Sequence, residues 1–475
     1  MQHRSHSLLL VSAGLLLAAG PKDPAPRGNI FAEKGFVHVL GPSPAIAPNA
    51  DEAAVDSRIL ESCDIIKDLD TYYWYYHAQS KDKSRWPRGY RICVATAPTP
   101  LGPWKRFENN PVLDHGPEGS WDRTSVDGAV LMKQGAYDMK RGTEQYYMWY
   151  SARGPSGRHI GLATASSPLG PWKKYEGNPI VKDFGYLGGV ARVNGKFYMF
   201  VQDPVGVTDQ GPFRVATAEK PEGPWTKYEG NPVLTPGDWG AWDDGGYSEA
   251  RVRYHEGVFH WFYGGTKTPK FESIGYAYSL DGFNWIKYGA NPVVDLSRVP
   301  DAAGLAEVHA YLEGPYVYLY HTLRYFTGKG TARGISSYPP WATEDLAIQV
   351  LTIDPRFKIA MPALNIESLA PRQSSRIQDC LPIGLESASS LALSVECTYE
   401  AAVRAGLSLH VRGSDDGVIY DTVDLNTFDI PLDAGKRVRK TVELSPKVKY
   451  VKVIVENLDG SRTVRSVNVK ATVGN

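Results

Sequence analysis

The sequence predicts an all-β chain: a five-bladed β-propeller followed by a C-terminal β-sandwich. Three observations predict it. One phrase recurs at intervals of a few tens of residues. Each copy follows the same order of short strand-like runs. The phrase ceases before residue 365, while strand-like alternation continues to the C terminus. Short strands in such a repeat cannot bury their faces alone, so stacked units are required.

The phrase reads Pro100-Leu101-Gly102-Pro103-Trp104 and runs on to Asn110-Pro111. It returns as Gly170-Pro171-Trp172 to Asn178-Pro179, as Gly223-Pro224-Trp225 to Asn231-Pro232, and loosely as Asp281-Gly282-Phe283-Asn284-Trp285 to Asn291-Pro292. Measured on the Asn-Pro step, the intervals are 68, 53 and 60 residues. Proline cannot donate to a strand ladder, so Gly-Pro and Asn-Pro mark places where the chain must turn. The Trp of each copy is expected to plug the seam between neighbouring blades.

Taken in order, residues 1–20 read as a secretory signal peptide. His3, Arg4 and His6 precede an apolar run at 8–17, closed by Ala18, Ala19 and Gly20. No Cys follows to carry a lipid anchor, so the chain is expected to be secreted or periplasmic, with no membrane anchor. Residues 21–50 read as a linker with a strand at 30–40 that could close the ring. The propeller is placed at 51–355. Its inner strands are expected at 62–67, 128–133, 188–193, 249–254 and 306–312, and the fifth blade's outer strands within 334–353. A β-sandwich is placed at 365–475, with strands at 391–398, 407–412, 418–424, 438–444, 449–457 and 463–473.

The bulk numbers exclude some partners. The 52 basic residues equal the 52 acidic ones, which argues against a nucleic-acid partner. Of four cysteines, Cys63 and Cys93 are separated by an intervening strand. That is about 9.6 Å, beyond the roughly 7 Å a disulfide spans. They are expected to be free, which leaves Cys380 and Cys397 as candidates for a bridge.

The useful comparison is between equivalent positions of the repeats. The register is set by the turn after each inner strand: Asp70, Gly135, Gly195, Gly257 and Gly314. Eight residues earlier stand Ser62, Asp127, Leu187, Glu249 and Ala306, with Glu61 beside Ser62 and Glu307 beside Ala306. Acids thus recur at strand starts that face one shared funnel. Such carboxylates could simply cap turns or pair with Arg123, Arg251 or Arg253. Convergent carboxylates also suit glycoside hydrolysis, in which one protonates the leaving oxygen and another activates water or attacks the sugar.

On these residues the chain resembles the five-bladed propeller glycosidases, the relatives of glycoside hydrolase family 43 with families 32, 68, 117 and 130. The resemblance covers about residues 50–355. The segment Glu249-Ala250-Arg251-Val252-Arg253-Tyr254 is similar to the one that carries the general acid in family 43, which implies that role for Glu249. Asp127, followed by Gly128-Ala129-Val130, resembles a strand-start Asp of these enzymes. Family 43 places its base in an Asp-Pro step on the first inner strand, and this chain has Glu61-Ser62-Cys63-Asp64 instead. Either Glu61 or Asp64 could be the base, or the base lies elsewhere. In the last unit, strand alternation puts His309 on the same side as Glu307. His309 could ligate a central ion, bind sugar, or act as the acid, as a His does in the family 117 relatives. Trp121 and Trp242, on loops before inner strands, could stack on sugar. Arginines there, Arg251 among the substrate-binding candidates, could hold a carboxylated or sulfated sugar. No cofactor is required, and a calcium ion at the funnel base is the one metal considered.

The expectation is an exported glycosidase with a carbohydrate substrate, cleaving by inversion. The alternatives are a glycan-binding propeller without activity and a polysaccharide lyase on a similar scaffold.

Overall fold

The computed structural model describes residues 29–475 except 88, 134–144, 203–210, 268–270, 300–301, 326–342, 386–387, 416, 418 and 445–446. The expected leader at 1–20, the start of the linker, the register residue Gly135 and part of the 334–353 segment lie outside the described residues.

Nearly all regular structure is strand. The first unit is an antiparallel sheet of Ile59–Asp68, Thr71–Gln79, Arg91–Ala97 and Lys105–Arg106. The second holds Ser125–Lys133, Tyr146–Gly154, Gly157–Ala165 and Lys173–Lys174, edged by Val181–Lys182. The third holds Tyr186–Val193, Lys196–Gln202, Phe213–Ala218 and Thr226–Lys227. A nine-stranded sheet follows. In its first half Gly246–Tyr247 and Arg251–His255 share the partner Val258–Lys267, followed by Phe271–Ser279 and Trp285–Lys287. One parallel step, Glu272 beside Gly304, leads to its second half: Ala302–Glu313, Tyr316–Tyr325, Thr343–Thr352 and Val37–Ile46.

The five inner strands touch in a closed circuit: first to second, second to third, third to fourth, fourth to fifth, and fifth to first. The N-terminal strand Val37–Ile46 completes the last set by pairing with Thr343–Thr352. This is the ring-closing strand expected at 30–40, displaced toward the C terminus. Ile30–Lys34 is instead a helical turn, because the Asn29 side chain caps it by accepting from the Phe31 and Ala32 N–H groups.

The repeated phrase holds each unit together. Val94 N–H donates to Asn110 Oδ1 at 2.9 Å, and Asn110 Nδ2 donates back to the Val94 carbonyl at 3.0 Å. Asn178 grips Leu162, Asn231 grips Val215 and Asn291 grips Tyr276 in the same way. The amide side chain supplies the donor and acceptor of a missing strand where the following proline has no N–H. The Trp of the phrase faces the preceding unit: Trp104 lies 6.0 Å from Tyr320, Trp172 lies 6.5 Å from Tyr75, and Trp285 lies 5.7 Å from Phe213, ring centre to ring centre. Hydrogen bonds cross the same seams. Trp149 Nε1 donates to the Pro221 carbonyl at 2.9 Å and the Tyr320 hydroxyl to the Pro100 carbonyl at 2.6 Å.

The C-terminal part has two four-stranded sheets. One holds Lys358–Leu369, Val464–Gly474, Ser390–Tyr399 and Arg437–Leu444. The other holds Ile383–Gly384, Tyr450–Asn457, Leu407–Ser414 and Asn426–Ile430. Alternate residues point inward, so Leu391, Leu393 and Val395 join Val451, Val453 and Val455 in one apolar cluster. The first strand begins at Lys358, ahead of the boundary expected at 365, because its pairing partner is the last strand of the chain. The strand expected at 418–424 lies at Asn426–Ile430 instead. Ile419 and Val423 are 75% and 76% exposed, so that run has no face to bury.

All four cysteines are free and buried. That matches the expectation for Cys63 and Cys93 and corrects it for Cys380 and Cys397. Cys380 Sγ instead accepts the Val453 N–H at 3.2 Å and faces the Leu381 carbonyl at 3.3 Å.

Candidate active site

Every inner strand breaks its ladder just after it starts. Pairing shifts between Ser62 and Asp64, between Asp127 and Val130, between Leu187 and Gly189, and between Ala306 and His309. In the fourth unit, pairing with the second strand lapses between Tyr247 and Arg251. Gly128 and Glu307 take left-handed backbone there, at φ 56° and 48°. Bulges re-aim side chains and end pairing. Here they set Glu61, Asp127, Glu249 and Glu307 at or beside the breaks at one mouth of the ring, with Glu249 and Glu307 left out of the ladder.

Contacts link these four residues. Glu61 is buried, with Oε2 against His77 Nε2 and Oε1 accepting from the Tyr90 hydroxyl at 3.0 Å. Burial pushes its carboxyl up, but His77, Arg324 and these hydrogen bonds outweigh burial and hold its pKa below the ordinary value. His77 passes the connection to the second unit. Its Nδ1 lies 3.2 Å from the Gly128 nitrogen and 3.2 Å from Cys63 Sγ. Burial lowers the imidazole pKa, and Cys63 and Glu61 reverse that and raise it well above its ordinary range. Next to Gly128, Asp127 accepts from the Ser125 hydroxyl at 2.8 Å and from Arg158 at 3.2 Å. Tyr186 lies against Gly128, and its pKa is raised by burial and then by Glu249 and Asp127.

On the other side, Arg324 gathers four carboxylates. Its Nη2 lies 2.6 Å from Glu307 and 3.6 Å from Glu61, its Nη1 lies 2.8 Å from Glu272, and its Nε lies 3.0 Å from Glu344. All five side chains are buried. One cation cannot balance four anions in such a place. Burial, reinforced by Glu61, Glu272 and Glu344, pushes the Glu307 carboxyl up to about 8 against the pull of Arg324. Burial and Glu61 push Glu344 up to about 7. At neutral pH these shifts leave Glu307 mostly protonated and Glu344 near half protonated beside an ionised Glu61. Glu307 Oε2 and Glu344 Oε2 have no hydrogen-bond partner among the described residues.

Asp64 does not join this group. Its ladder partner is Tyr75, while that of Glu61 is His77, so it lies two ladder steps deeper along the strand. There its oxygens are committed to Arg253, to the Ile65 N–H at 2.9 Å and to the Leu131 N–H at 2.7 Å. It ties three units together. The bulge also breaks the alternation that would pair Glu307 with His309. His309 lies beside Arg251 near the axis, fully buried, and neither ring nitrogen has a hydrogen-bond partner among the described residues. Arg251 is fully buried as well; its Nη1 donates to the Leu187 and Ala250 carbonyls at 2.8 and 3.1 Å and its Nε to the Ala129 carbonyl at 3.4 Å, while Nη2 has no hydrogen-bond partner among the described residues. Burial, then the Arg251 charge, press the His309 pKa well below its ordinary value. A guanidinium next to His309 does not suit a cation, and no group of three or more His, Cys, Asp or Glu among the described residues could hold a metal ion.

Trp121 and Trp242 are half-buried, and each packs within its own unit. Trp121 stacks on Tyr150 at 5.7 Å and covers Gly161; Trp242 lies on Tyr263 at 5.5 Å and covers Gly265 and Gly275. The next residue of each, Asp122 or Asp243, takes a lysine from the outer strand, Lys174 or Lys287, at 2.6 Å. The exposed indole of that loop is Trp239, at 86%.

Sequence reasoning missed Tyr90, Arg158, Glu272, Glu344, Arg324, His77 and Tyr186. Three of them share a signal. Tyr90, Arg158 and Glu272 each stand four residues before the residue gripped by the Asn of the phrase, namely Val94, Leu162 and Tyr276. The third strand of a unit thus serves the mouth as regularly as the first. The opposite mouth has a different chemistry. Six residues beyond Glu61, Asp127, Tyr186 and Glu249 stand Lys67, Lys133, Arg192 and His255, which line a cavity of about 930 Å³.

No protein-family model and no curated protein matches the chain. Solved structures do. A glycosyl hydrolase from Bacteroides ovatus is 15% identical, over 66% of this chain and 93% of that one, with a TM-score of 0.46. A thermostable family-43 glycoside hydrolase is 21% identical, over 61% and 89%, with a TM-score of 0.40. A family 117 glycoside hydrolase produced by the marine bacterium Zobellia galactanivorans is 16% identical, over 67% and 92%, with a TM-score of 0.44. The chain resembles glycoside hydrolases of families 43 and 117, and likeness at this level assigns it neither a family nor a substrate.

Proposed function

We propose that the chain is an exported glycoside hydrolase, a five-bladed β-propeller with a C-terminal β-sandwich, that cleaves an oligo- or polysaccharide at the mouth holding Glu61, Asp127, Glu249 and Glu307. The observation that carries this reading is the series of contacts from Glu307 through Arg324, Glu61, His77 and Gly128 to Asp127 and Tyr186, where the charge of Glu249 is also felt. It draws carboxylates from four units to one place. A buried carboxyl held below its ordinary pKa, as Glu61 is, suits the base of such a pair.

In this reading Glu249 protonates the leaving oxygen and Glu61, held ionised by His77 and Arg324, activates a water. Asp127, paired with Arg158, is the third carboxylate. We assign the stereochemical course as inversion, which needs a carboxyl separation of about 6.5–9.5 Å with room for water. Glu61 and Glu249 belong to units that are not neighbours in the circuit, in keeping with that spacing. Carboxylates alone suffice for this chemistry, so no cofactor enters. Exposed Trp239 is the indole that suits a sugar face. Export rests on the sequence of residues 1–20; among the described residues, no helix is long and apolar enough to cross a membrane.

The test is turnover of a panel of polysaccharides and 4-nitrophenyl glycosides. Glu249→Gln and Asp127→Asn should each lower kcat by about 10² or more while binding persists. A wild type that binds glycan without releasing product would make the chain a binding module, and an unsaturated, ultraviolet-absorbing product would make it a lyase.

A further inference from the structure

We propose that Tyr186 is a specificity-determining residue, whose hydroxyl donates to one sugar hydroxyl held between Asp127 and Glu249. The inference rests on the glycosidase reading and adds a residue that neither the acidic register nor the resemblance contains.

Tyr186 opens the inner strand of the third unit, the unit with no acid at the register position. It is 1% exposed, yet its Oη has no hydrogen-bond partner among the described residues. Buried hydroxyls are rarely left so, and one without a protein partner at a functional mouth is a donor kept for a ligand. The Arg158 guanidinium sits over the ring at 4.5 Å and also bonds Asp127 at 3.2 Å, which fixes the ring beside that carboxylate. Gly128 makes the space: a Cβ there would collide with the Tyr186 hydroxyl and Cζ. Both flanking carboxylates work with burial to keep the phenol protonated, so it stays a donor across the working pH range. Asp127 and Glu249 are acceptors, and a sugar hydroxyl can accept from Tyr186 while donating to either carboxylate.

The phenol is thus set to recognise a hydroxyl-bearing ring, and to discriminate against the analogue that lacks that one hydroxyl. A site built to bond a hydroxyl loses far more on its removal than a pocket that merely fits it, because the buried donor is then left unpaired.

The experiment pairs Tyr186→Phe with the monodeoxy forms of whichever 4-nitrophenyl glycoside the wild type hydrolyses, or of the shortest oligosaccharide it cleaves. Wild type should lose about tenfold or more in kcat/KM for one particular monodeoxy substrate. Tyr186→Phe should show a similar loss on the parent substrate and no further loss on that same monodeoxy substrate. Its Tm should stay at or above that of wild type, because the hydroxyl has no protein hydrogen bond to lose. A variant that keeps wild-type kcat/KM, or that still penalises every deoxy position as wild type does, overturns the inference while leaving the glycosidase reading intact. A wild type that neither binds nor cleaves any glycan of the panel overturns both.

Discussion

Glu61 and Glu307, borne on the first and fifth inner strands, meet at one nitrogen of Arg324, which lies 3.6 Å from the first and 2.6 Å from the second. The two carboxyls are driven apart in acidity. Glu61 is held below its ordinary value and Glu307 is pushed up to about 8. The difference follows from His77, which touches Glu61 but is not among the groups that shift Glu307.

Stability should therefore fall as pH rises through neutrality. Glu307 and Glu344 titrate at about 8 and about 7, above their ordinary 4.5. Below 4.5 both are protonated whether the chain is folded or not, so neither makes stability depend on pH. Between that value and their folded pKa the unfolded chain loses protons that the folded chain keeps, and the folded state becomes less favourable. Glu61 acts the other way: its contribution is present above its ordinary pKa and is lost in acid. Urea midpoints should drop from about pH 5 to about pH 8, and Glu307→Gln and Glu344→Gln should each flatten that slope. An unchanged slope in both variants would show that these carboxyls ionise normally.

Removing the cation should expose the charge imbalance. Arg324→Met leaves Glu61, Glu272, Glu307 and Glu344 facing each other without it. The expected loss is about 3–5 kcal/mol at neutral pH. Part of it should return in mildly acidic buffer as the carboxylates protonate. Denaturant titrations at two pH values check this, and a loss of the same size at both would mean that packing rather than charge dominates.

Asp64 provides the control for the site. Asp64→Asn weakens the tie to Arg253 and the Leu131 N–H, with an expected cost of about 1–3 kcal/mol. The folded fraction should keep its kcat. Full stability with abolished turnover would instead make Asp64 the base and Glu61 a structural group.

The repeat was legible in the chain alone, because its markers act locally. An Asn that must grip the third strand, a Pro without an N–H and a Trp that must fill a seam recur wherever the unit recurs, and they set the register on which Asp127 and Glu249 stand. The same locality explains the limits. Whether Asp64 shares the mouth with Glu61 depends on a bulge at residues 62–64 that shifts depth by one ladder step, and no composition rule marks such a bulge. The partners that hold the carboxyls come from distant strands: His77 and Tyr90 for Glu61, Arg158 for Asp127, Arg324 for Glu307. Charges repel or neutralise only across the space that folding creates. The acids could be counted along the chain, but only the closed ring decided which of them face one another and which keep their protons.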